Sequence, residues 1–192
     1  MNSKLLGATL AAVFAISSIG FAAAALSWQG INSDSVDSKN ANTTLLTITA
    51  TDAVPQKTSD LVGFAWLYAS GPNTAFAITQ HNANVDDDPK NEVRDSTQNP
   101  DGWHAHNVVL GNGTLNSTFC VAEIVDAPNA GVSINGDLVK VNVQNSALTG
   151  TLSSTTAVFD IIIDGGCANT LGTEVTEAGP LPLGIVVHDV NP

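Results

Sequence analysis

Residues 132–143 read VSINGDLVKVNV, and this stretch predicts a β-hairpin. Asn135 and Gly136 form a dipeptide that readily takes the positive φ angles of a two-residue hairpin turn. After the turn, valines alternate with Lys140 and Asn142, which places the valines on one face of a strand and the polar side chains on the other. The simplest fold for this pattern is a sheet with one solvent-facing side, packed through its apolar side against a second sheet.

The remainder of the chain favours the same kind of structure. Charged residues make up only 12% of the sequence, while Thr, Ser, Asn, Val, Ile and Gly are abundant. This composition is typical of strands and tight turns, and no segment after residue 25 has the pattern of an amphipathic helix. We therefore predict an all-β fold, a two-sheet antiparallel β-sandwich of about nine strands. The predicted strands are residues 44–50, 61–69, 75–80, 104–110, 118–125, 132–134, 138–143, 157–163 and 184–188.

The N-terminus has the pattern of a secretory signal peptide. Residues 1–25 carry one positively charged side chain, Lys4, followed by an apolar run and a closing row of alanines. The run is too short and too rich in alanine for a stable membrane anchor, so we expect residues 1–25 to be removed on export. Residues 26–43 form a polar lead-in, and residues 44–192 have the length of a single β-sandwich domain. The predicted location is secreted or at the cell surface.

The charge balance argues against nucleic acid as a partner. The chain has 18 acidic and 6 basic side chains, a net charge of −12 at pH 7, and its basic residues are scattered singly. Binding to phosphate backbones or to anionic lipid surfaces needs clustered Lys and Arg. Such acidity instead suits high solubility, a salty medium or the binding of divalent cations, and composition does not rank these three.

Two cysteines, Cys120 and Cys167, follow the signal peptide. Outside the cytoplasm an even pair predicts a structural disulfide, and closing a loop of this length stabilises a fold by about 4 kcal/mol in the chain-entropy model. A catalytic thiol or a copper thiolate is the alternative, but it would leave the second cysteine without a role.

A polar loop leads into a predicted strand that carries two histidines two residues apart, His104 and His106. Alternation along a strand places both imidazoles on one face, which is a suitable start for a copper or zinc site. The alternative is structural: both rings share their face with Val108 and Leu110, and are then core or rim histidines bonded to nearby backbone. The candidate metal ligands are His104, His106, His81 and His188, and the supporting loop residues are Arg94, Asp95, Asn99, Asp101 and Trp103.

The sequence GWHAH at residues 102–106, followed by Gly111 and Cys120, resembles the copper-binding strand of copper/zinc superoxide dismutases. The resemblance implies a copper site at the H-x-H pair, together with a bridging histidine, further zinc ligands and a late copper histidine. After His106 this chain has only His188, so the bimetallic site of that family cannot be assembled. Arg94, the only arginine, precedes the pair, so the family's substrate-guiding arginine near the C-terminus has no counterpart.

Residues 93–106, VRDSTQNPDGWHAH, also resemble a group of uncharacterised exported archaeal proteins that share a VRDS-x-QNPD-x-WH-x-H segment. The resemblance implies that this segment defines a site in the group. It implies no activity, because none is established for the group. In chemical terms, Arg94 can pair with Asp95 or Asp101 and pin the loop, while residues 99–102 have the composition of an ordinary turn.

A group of oxygen ligands lies earlier in the same polar loop. Asp86, Asp87 and Asp88 are followed closely by Glu92, and carboxylates are ligands that calcium takes. Their spacing does not fit an EF-hand, because the glycine and the final glutamate of that loop are absent. We therefore rank calcium below copper or zinc, and a solvated acidic loop is the alternative.

Three asparagines, Asn42, Asn112 and Asn116, lie in the Asn-x-Ser/Thr pattern of glycosylation acceptors. Such patterns also arise by chance in a chain rich in Asn and Thr. Modification would require these turns to face solvent, and it is expected of a protein on a glycosylated cell surface.

Taken together, these features favour a non-enzymatic cell-envelope or extracellular protein that binds a divalent metal or a small ligand through the H-x-H strand and adjacent loop. One alternative is a self-assembling subunit of a surface layer or filament, with residues 27–43 adding a strand to a neighbouring sheet. Another is a small copper or zinc enzyme, which needs at least three ligands converging on an open position. No catalytic residue is selected, since the chain lacks the G-x-S-x-G motif of serine hydrolases.

Overall fold

The computed structural model describes residues 25–58, 60–80, 102–113, 115–126, 130–167 and 182–192. Apart from two single-turn 3-10 helices, Asn145–Ala147 and Gly165–Cys167, their regular structure is entirely β. None of these residues belongs to a helix of the length and apolarity that crossing a membrane requires. The described residues form ten strands: β1 (Ile31–Asn40), β2 (Thr43–Ala50), β3 (Val62–Ser70), β4 (Ala75–Gln80), β5 (His104–Asn112), β6 (Phe119–Asp126), β7 (Ala130–Asn135), β8 (Leu138–Gln144), β9 (Thr151–Ile163) and β10 (Leu183–Asn191).

The strands form two antiparallel sheets, which confirms the predicted all-β sandwich. The first sheet has four strands in the order β1-β2-β8-β7. The second has six in the order β10-β6-β5-β4-β3-β9, and β9 also pairs with β10, so this sheet closes on itself. The closure between β10 and β6 consists of two residue pairs, Gly184 with Cys120 and Ile185 with Phe119. No pattern in the sequence predicts that one of the sheets encloses an interior of its own.

The nine predicted strands correspond to β2 through β10, but the prediction omitted β1. This strand lies within the predicted polar lead-in, residues 26–43, which in one alternative adds a strand to a neighbouring subunit. It pairs instead with β2 of its own chain, from Ile31 to Asn40. It is an edge strand whose side chains are mostly exposed. Edge strands that face solvent need no apolar alternation, so the Ser-, Asp- and Asn-rich sequence carries no strand signal.

The predicted hairpin is confirmed by β7 and β8. Asn135 pairs with Leu138, and Gly136 in the turn between them has a φ angle of 63°. A left-handed conformation of this kind favours glycine, because it lacks a Cβ atom. In β8 the three valines are fully buried, while Lys140 and Asn142 are exposed, as the alternation predicted.

Two separate apolar cores lie on opposite faces of the closed sheet. The core between the sheets contains large side chains from both of them, including Leu46, Ile48, Val139, Val141, Phe64 and Trp66. The second core lies inside the closed sheet and contains Ala65, Leu67, Ala75, Ala77, Val121, Phe159 and Ile185. Strands β3 and β4 contribute alternate residues to both cores, so they are buried on both faces along most of their length. This explains why their sequences are nearly continuous apolar runs.

The predicted disulfide is also confirmed, since the sulfurs of Cys120 and Cys167 lie 2.09 Å apart. It joins β6 to the turn after β9, next to the short β10–β6 closure. The buried carboxylate of Asp164 holds the same region, because it accepts hydrogen bonds from Ser117 Oγ (2.9 Å) and from the backbone N–H of Gly166 (3.0 Å). The disulfide and the hydrogen bonds of Asp164 thus stabilise the junction of β10 and β6, where the closed sheet has only two residue pairs between described strands.

Candidate functional site

The two histidines of the H-x-H pair lie side by side on β5. Their ring centroids are 4.8 Å apart and the rings meet edge to face, at 79°. His104 is 1% exposed, and its Nδ1 donates a hydrogen bond to the carbonyl oxygen of Gly102 (2.8 Å). His106 is also buried, on the same side of β5 as Val108 and Leu110. Both the metal-site and the structural interpretation predict that the two imidazoles share one face of the strand, and they do. The hydrogen bond from His104 to a backbone carbonyl is the contact that the structural interpretation predicts.

His188, a candidate third ligand, lies on the other side of the sheet wall. Its Nε2 is 2.7 Å from Oδ2 of Asp160 on β9, and the other carboxylate oxygen of Asp160 accepts a hydrogen bond from Gln29 Nε2. The neighbours of Asp160 in sequence, Phe159 and Ile161, both line the interior of the closed sheet, so Asp160 faces outward. The structure therefore separates His188 from the histidine pair and assigns it to a contact that joins the N-terminal segment to β9.

The remaining candidate ligands lie outside the described residues. These are His81, the loop residues Arg94, Asp95, Asn99 and Asp101, and the calcium candidates Asp86, Asp87, Asp88 and Glu92. Within the part of the chain that the structure describes, no three His, Cys, Asp or Glu side chains come together to hold a metal ion. The described residues thus supply two adjacent imidazoles and no third ligand.

Trp103, the last of the predicted loop residues, belongs to the core between the sheets. Its ring lies 5.7 Å from that of Phe64 and 6.4 Å from that of Trp28, and its Nε1 donates a hydrogen bond to the carbonyl oxygen of Pro55 (3.0 Å). The indole therefore anchors the start of β5 to β3 and to the segments before β1 and after β2. This packing gives Trp103 a structural role in positioning the histidine strand.

The three glycosylation candidates all have exposed side chains. Asn42 lies in the turn between β1 and β2, Asn112 ends β5, and Asn116 lies in the turn before β6. The backbone N–H of Asn116 donates a hydrogen bond to Asp164 Oδ2 (3.2 Å), so this turn is held to the body of the fold. Their use as acceptors stays a prediction.

A cavity of about 80 Å³ lies inside the closed sheet. Among the described residues its lining is apolar except at two positions, Thr79 on β4 and His106 on β5. Thr79 pairs across the strands with His104, and Ala77 pairs with His106, so both polar residues lie at the same part of the β4–β5 wall. The H-x-H strand therefore contributes His106 to an apolar site inside the closed sheet, and the metal site at the same pair stays a prediction.

The cavity exists because one face of several strands carries small side chains. Ala65 on β3, Ala75 and Ala77 on β4 and Ala157 on β9 all line it. Gly63, also on β3, leaves the room that the ring of the facing Phe159 occupies, since a Cβ atom there would lie 2.3 Å from Phe159 Cζ. The methyl groups of the four alanines do not extend far enough to fill the rest of the interior of the closed sheet.

Thr79 is the most unusual polar residue of this lining. It is 5% exposed, and its hydroxyl oxygen has no hydrogen-bond partner among the described residues. Leaving a buried hydroxyl unpaired costs about 1–3 kcal/mol. The alternation along β4 places it on the same face as Ala75 and Ala77, which line the cavity. An apolar cavity with one such hydroxyl has the form of a small-molecule site, mostly apolar with few polar groups.

Thr79 and the alanines were not among the predicted site residues. For the alanines a signal exists in residues 75–78, AFAI, where small residues alternate with large ones inside a buried strand, whereas Thr79 has no such signal. Comparisons with protein-family models, with curated proteins and with solved structures found no match to this chain. The assignment of a function therefore rests on the geometry of the described residues.

Proposed function

We propose that this chain is an exported, non-enzymatic protein that binds a small apolar molecule inside its closed six-stranded sheet. The observation that carries this proposal is the cavity of about 80 Å³, whose described lining is apolar except for Thr79 and His106. A ligand that fills this space removes its apolar surface from water, which favours binding by about 25 cal/mol for each Å² buried. It also supplies the dispersion contacts that the lining residues lack.

The N-terminal sequence and the disulfide support a secreted or cell-surface location. Residues 1–25 have the pattern of a signal peptide, and a Cys120–Cys167 disulfide is consistent with an environment outside the reducing cytoplasm. A ligand carrier or sensor outside the cell meets small apolar molecules in the medium. The net charge of −12 supports solubility there and disfavours nucleic acid as a partner.

A metal-binding function is the second candidate, and the adjacent imidazoles of His104 and His106 favour it. Copper or zinc would need further ligands from residues outside the described part of the chain, and so would a copper or zinc enzyme. Calcium bound by residues 86–92 stays a prediction of the same kind. The filament alternative has less support, because β1, within residues 27–43, already pairs with β2 of its own sheet.

The test is the uptake of xenon by the purified mature protein, followed through the methyl NMR signals of its alanines. We expect the signals of Ala65, Ala77 and Ala157, which line the cavity, to shift on xenon saturation. The methyl of Ala50, fully buried between the sheets, is the internal control and should not shift. An Ala77→Leu variant, which fills the cavity, should lose the response.

Titration of copper and zinc into the same sample separates the two candidates. Stoichiometric metal binding that a His104→Ala, His106→Ala double variant abolishes, without any xenon response in the wild-type protein, would overturn the proposal in favour of the metal site. A xenon response at Ala50 equal to that at Ala77 would also contradict a specific interior site.

A further inference from the structure

We infer that the ligand is a neutral molecule with an apolar body and one hydroxyl or carbonyl group, which forms a hydrogen bond with Thr79. The inference rests on the proposed function, because it names the class of molecule for the same cavity. The apolar body follows from the lining, in which every described residue except Thr79 and His106 is apolar.

We expect a neutral ligand because the lining holds little that could balance a charge. Among the described residues that line the cavity there is no Lys, Arg, Asp or Glu, and His106 is the one titratable side chain. The free energy needed to move an unpaired ion from water into an apolar cavity is far larger than the free energy gained from apolar contacts. Charged amines are therefore excluded from the class, because no described lining residue has an acidic side chain, and a neutral ligand is expected.

The single polar group follows from Thr79. Its hydroxyl is buried, and no described residue donates a hydrogen bond to it or accepts one from it. A threonine hydroxyl has one donor and two acceptor positions, so it can donate to a carbonyl or accept from an alcohol. A ligand with such a group would recover the energy that burial of the unpaired hydroxyl costs, while a pure hydrocarbon would not. The same difference gives the site its selectivity, because a buried polar group discriminates against ligands that leave it unpaired.

The size of the cavity limits the buried part of the ligand. At about 80 Å³, the cavity is roughly half as large as an engineered cavity of about 150 Å³ that takes up benzene. The part of the ligand inside the sheet is therefore small, on the scale of a short-chain or small-ring alcohol, aldehyde or ketone.

The experiment compares 2-propanol with propane in three forms of the mature protein, because both probes are smaller than benzene and suit a cavity of about 80 Å³. Dissociation constants are measured from the NMR shift of the Ala77 methyl in the wild type, in Thr79→Val and in Thr156→Val. Thr156 is the matched control, since its hydroxyl is also buried without a partner among the described residues. It lies beside Val158 on the outer face of β9, away from the cavity.

We expect Thr79→Val to weaken 2-propanol binding by about threefold to tenfold, the range that one neutral hydrogen bond supplies. Propane should bind Thr79→Val at least as well as the wild type, and Thr156→Val should alter neither dissociation constant. A Thr79→Ser variant, which keeps the hydroxyl, should retain the preference for the alcohol, and it provides the comparison if the valine variant is poorly folded.

The outcomes separate this inference from the proposed function. If both probes bind but the ratio of their dissociation constants is the same in wild type and Thr79→Val, the polar group is wrong and the apolar site stands. If neither probe binds the wild type and xenon also fails, the proposed function and the inference are both wrong. If Thr156→Val weakens the alcohol as much as Thr79→Val does, recognition through Thr79 is overturned.

Discussion

The core between the sheets and the core inside the closed sheet use opposite faces of the same strands, yet they are packed differently. On β3 and β4 the face toward the other sheet carries Phe64, Trp66, Phe76 and Ile78, all fully buried. The inner face of these strands carries mainly alanines, and a cavity remains there. A protein interior normally packs as densely as an organic crystal, so the inner face departs from normal packing and the face between the sheets does not. This contrast is the basis of the proposed ligand site.

The largest effect should come from truncating the densely packed face. Phe64→Ala is expected to lower the free energy of unfolding by about 3–5 kcal/mol, because it leaves a hole in a core of fully buried side chains. Leu67→Ala, on the inner face of the same strand, should cost about 2–3 kcal/mol, at the lower end for its type. Urea denaturation of both variants checks this, and an equal loss at the two positions would contradict the difference in packing.

Removal of the disulfide should affect the closed sheet more than the first core. A Cys120→Ala, Cys167→Ala double variant is expected to lose about 2–4 kcal/mol of stability, since its unfolded chain gains freedom. Because Cys120 also pairs with Gly184 in the short β10–β6 closure, xenon affinity should fall as well. Hydrogen exchange of β6 and β10 amides is the measurement, with the β2 amides as control. Equal loosening of β2 and β6 would argue against a local role in closure.

The substitution Gly63→Ala tests how tightly the inner face is packed next to the cavity, where the Phe159 ring lies against Gly63. Its Cβ would lie 2.3 Å from Phe159 Cζ and 2.8 Å from the carbonyl oxygen of Ile78, so Gly63→Ala should cost about 1–3 kcal/mol. Gly131→Ala on edge strand β7 is the control, because its nearest neighbours are 3.8 Å and 3.9 Å away. Thermal unfolding compares the two variants. A neutral Gly63→Ala would mean that the Phe159 ring moves freely into the cavity.

Replacing the unpaired hydroxyls should raise stability slightly in both cores. Thr79→Val and Thr156→Val each remove a buried hydroxyl that lacks a partner among the described residues, so each is expected to gain about 1 kcal/mol. Thermal unfolding without ligand is the measurement. A loss of stability in Thr79→Val would indicate that this hydroxyl is already satisfied, and would remove the basis for ligand recognition.

The smallest effect belongs to Asp52, which lies outside both cores. Hydrogen bonds from the backbone N–H of Ala53 and from Ser27 Oγ lower the pKa of its carboxyl from 3.8. Because the folded pKa is below the unfolded value, this contribution to stability is present above pH 3.8 and disappears as the pH falls through the folded pKa. The melting temperature of the wild type should therefore fall slightly as the pH is lowered through this pKa. In Asp52→Asn this part of the fall should be absent. An unchanged pH profile would contradict the carboxylate's involvement.

The site was less predictable than the strands, and His188 and Thr79 show the physical reason. Both histidines of β5 were found from their spacing, because alternation along one strand is a local property. His188 was a reasonable third ligand by residue type, but the sheet wall lies between it and His106. Thr79 carried no motif, because its importance comes from the absence of a hydrogen-bond partner within the described residues. Contacts between distant strands decide both properties.

The sequence by itself determined the all-β class, the nine apolar strands, the turn at Gly136 and the pairing of Cys120 with Cys167. Each depends on local backbone preference, on side-chain alternation or on a count of two cysteines. The tertiary structure alone decided the pairing of polar β1, the closure of one sheet through β9, β10 and β6, and the cavity inside it. These features depend on register between segments far apart in the chain, which local patterns of hydrophobicity do not encode.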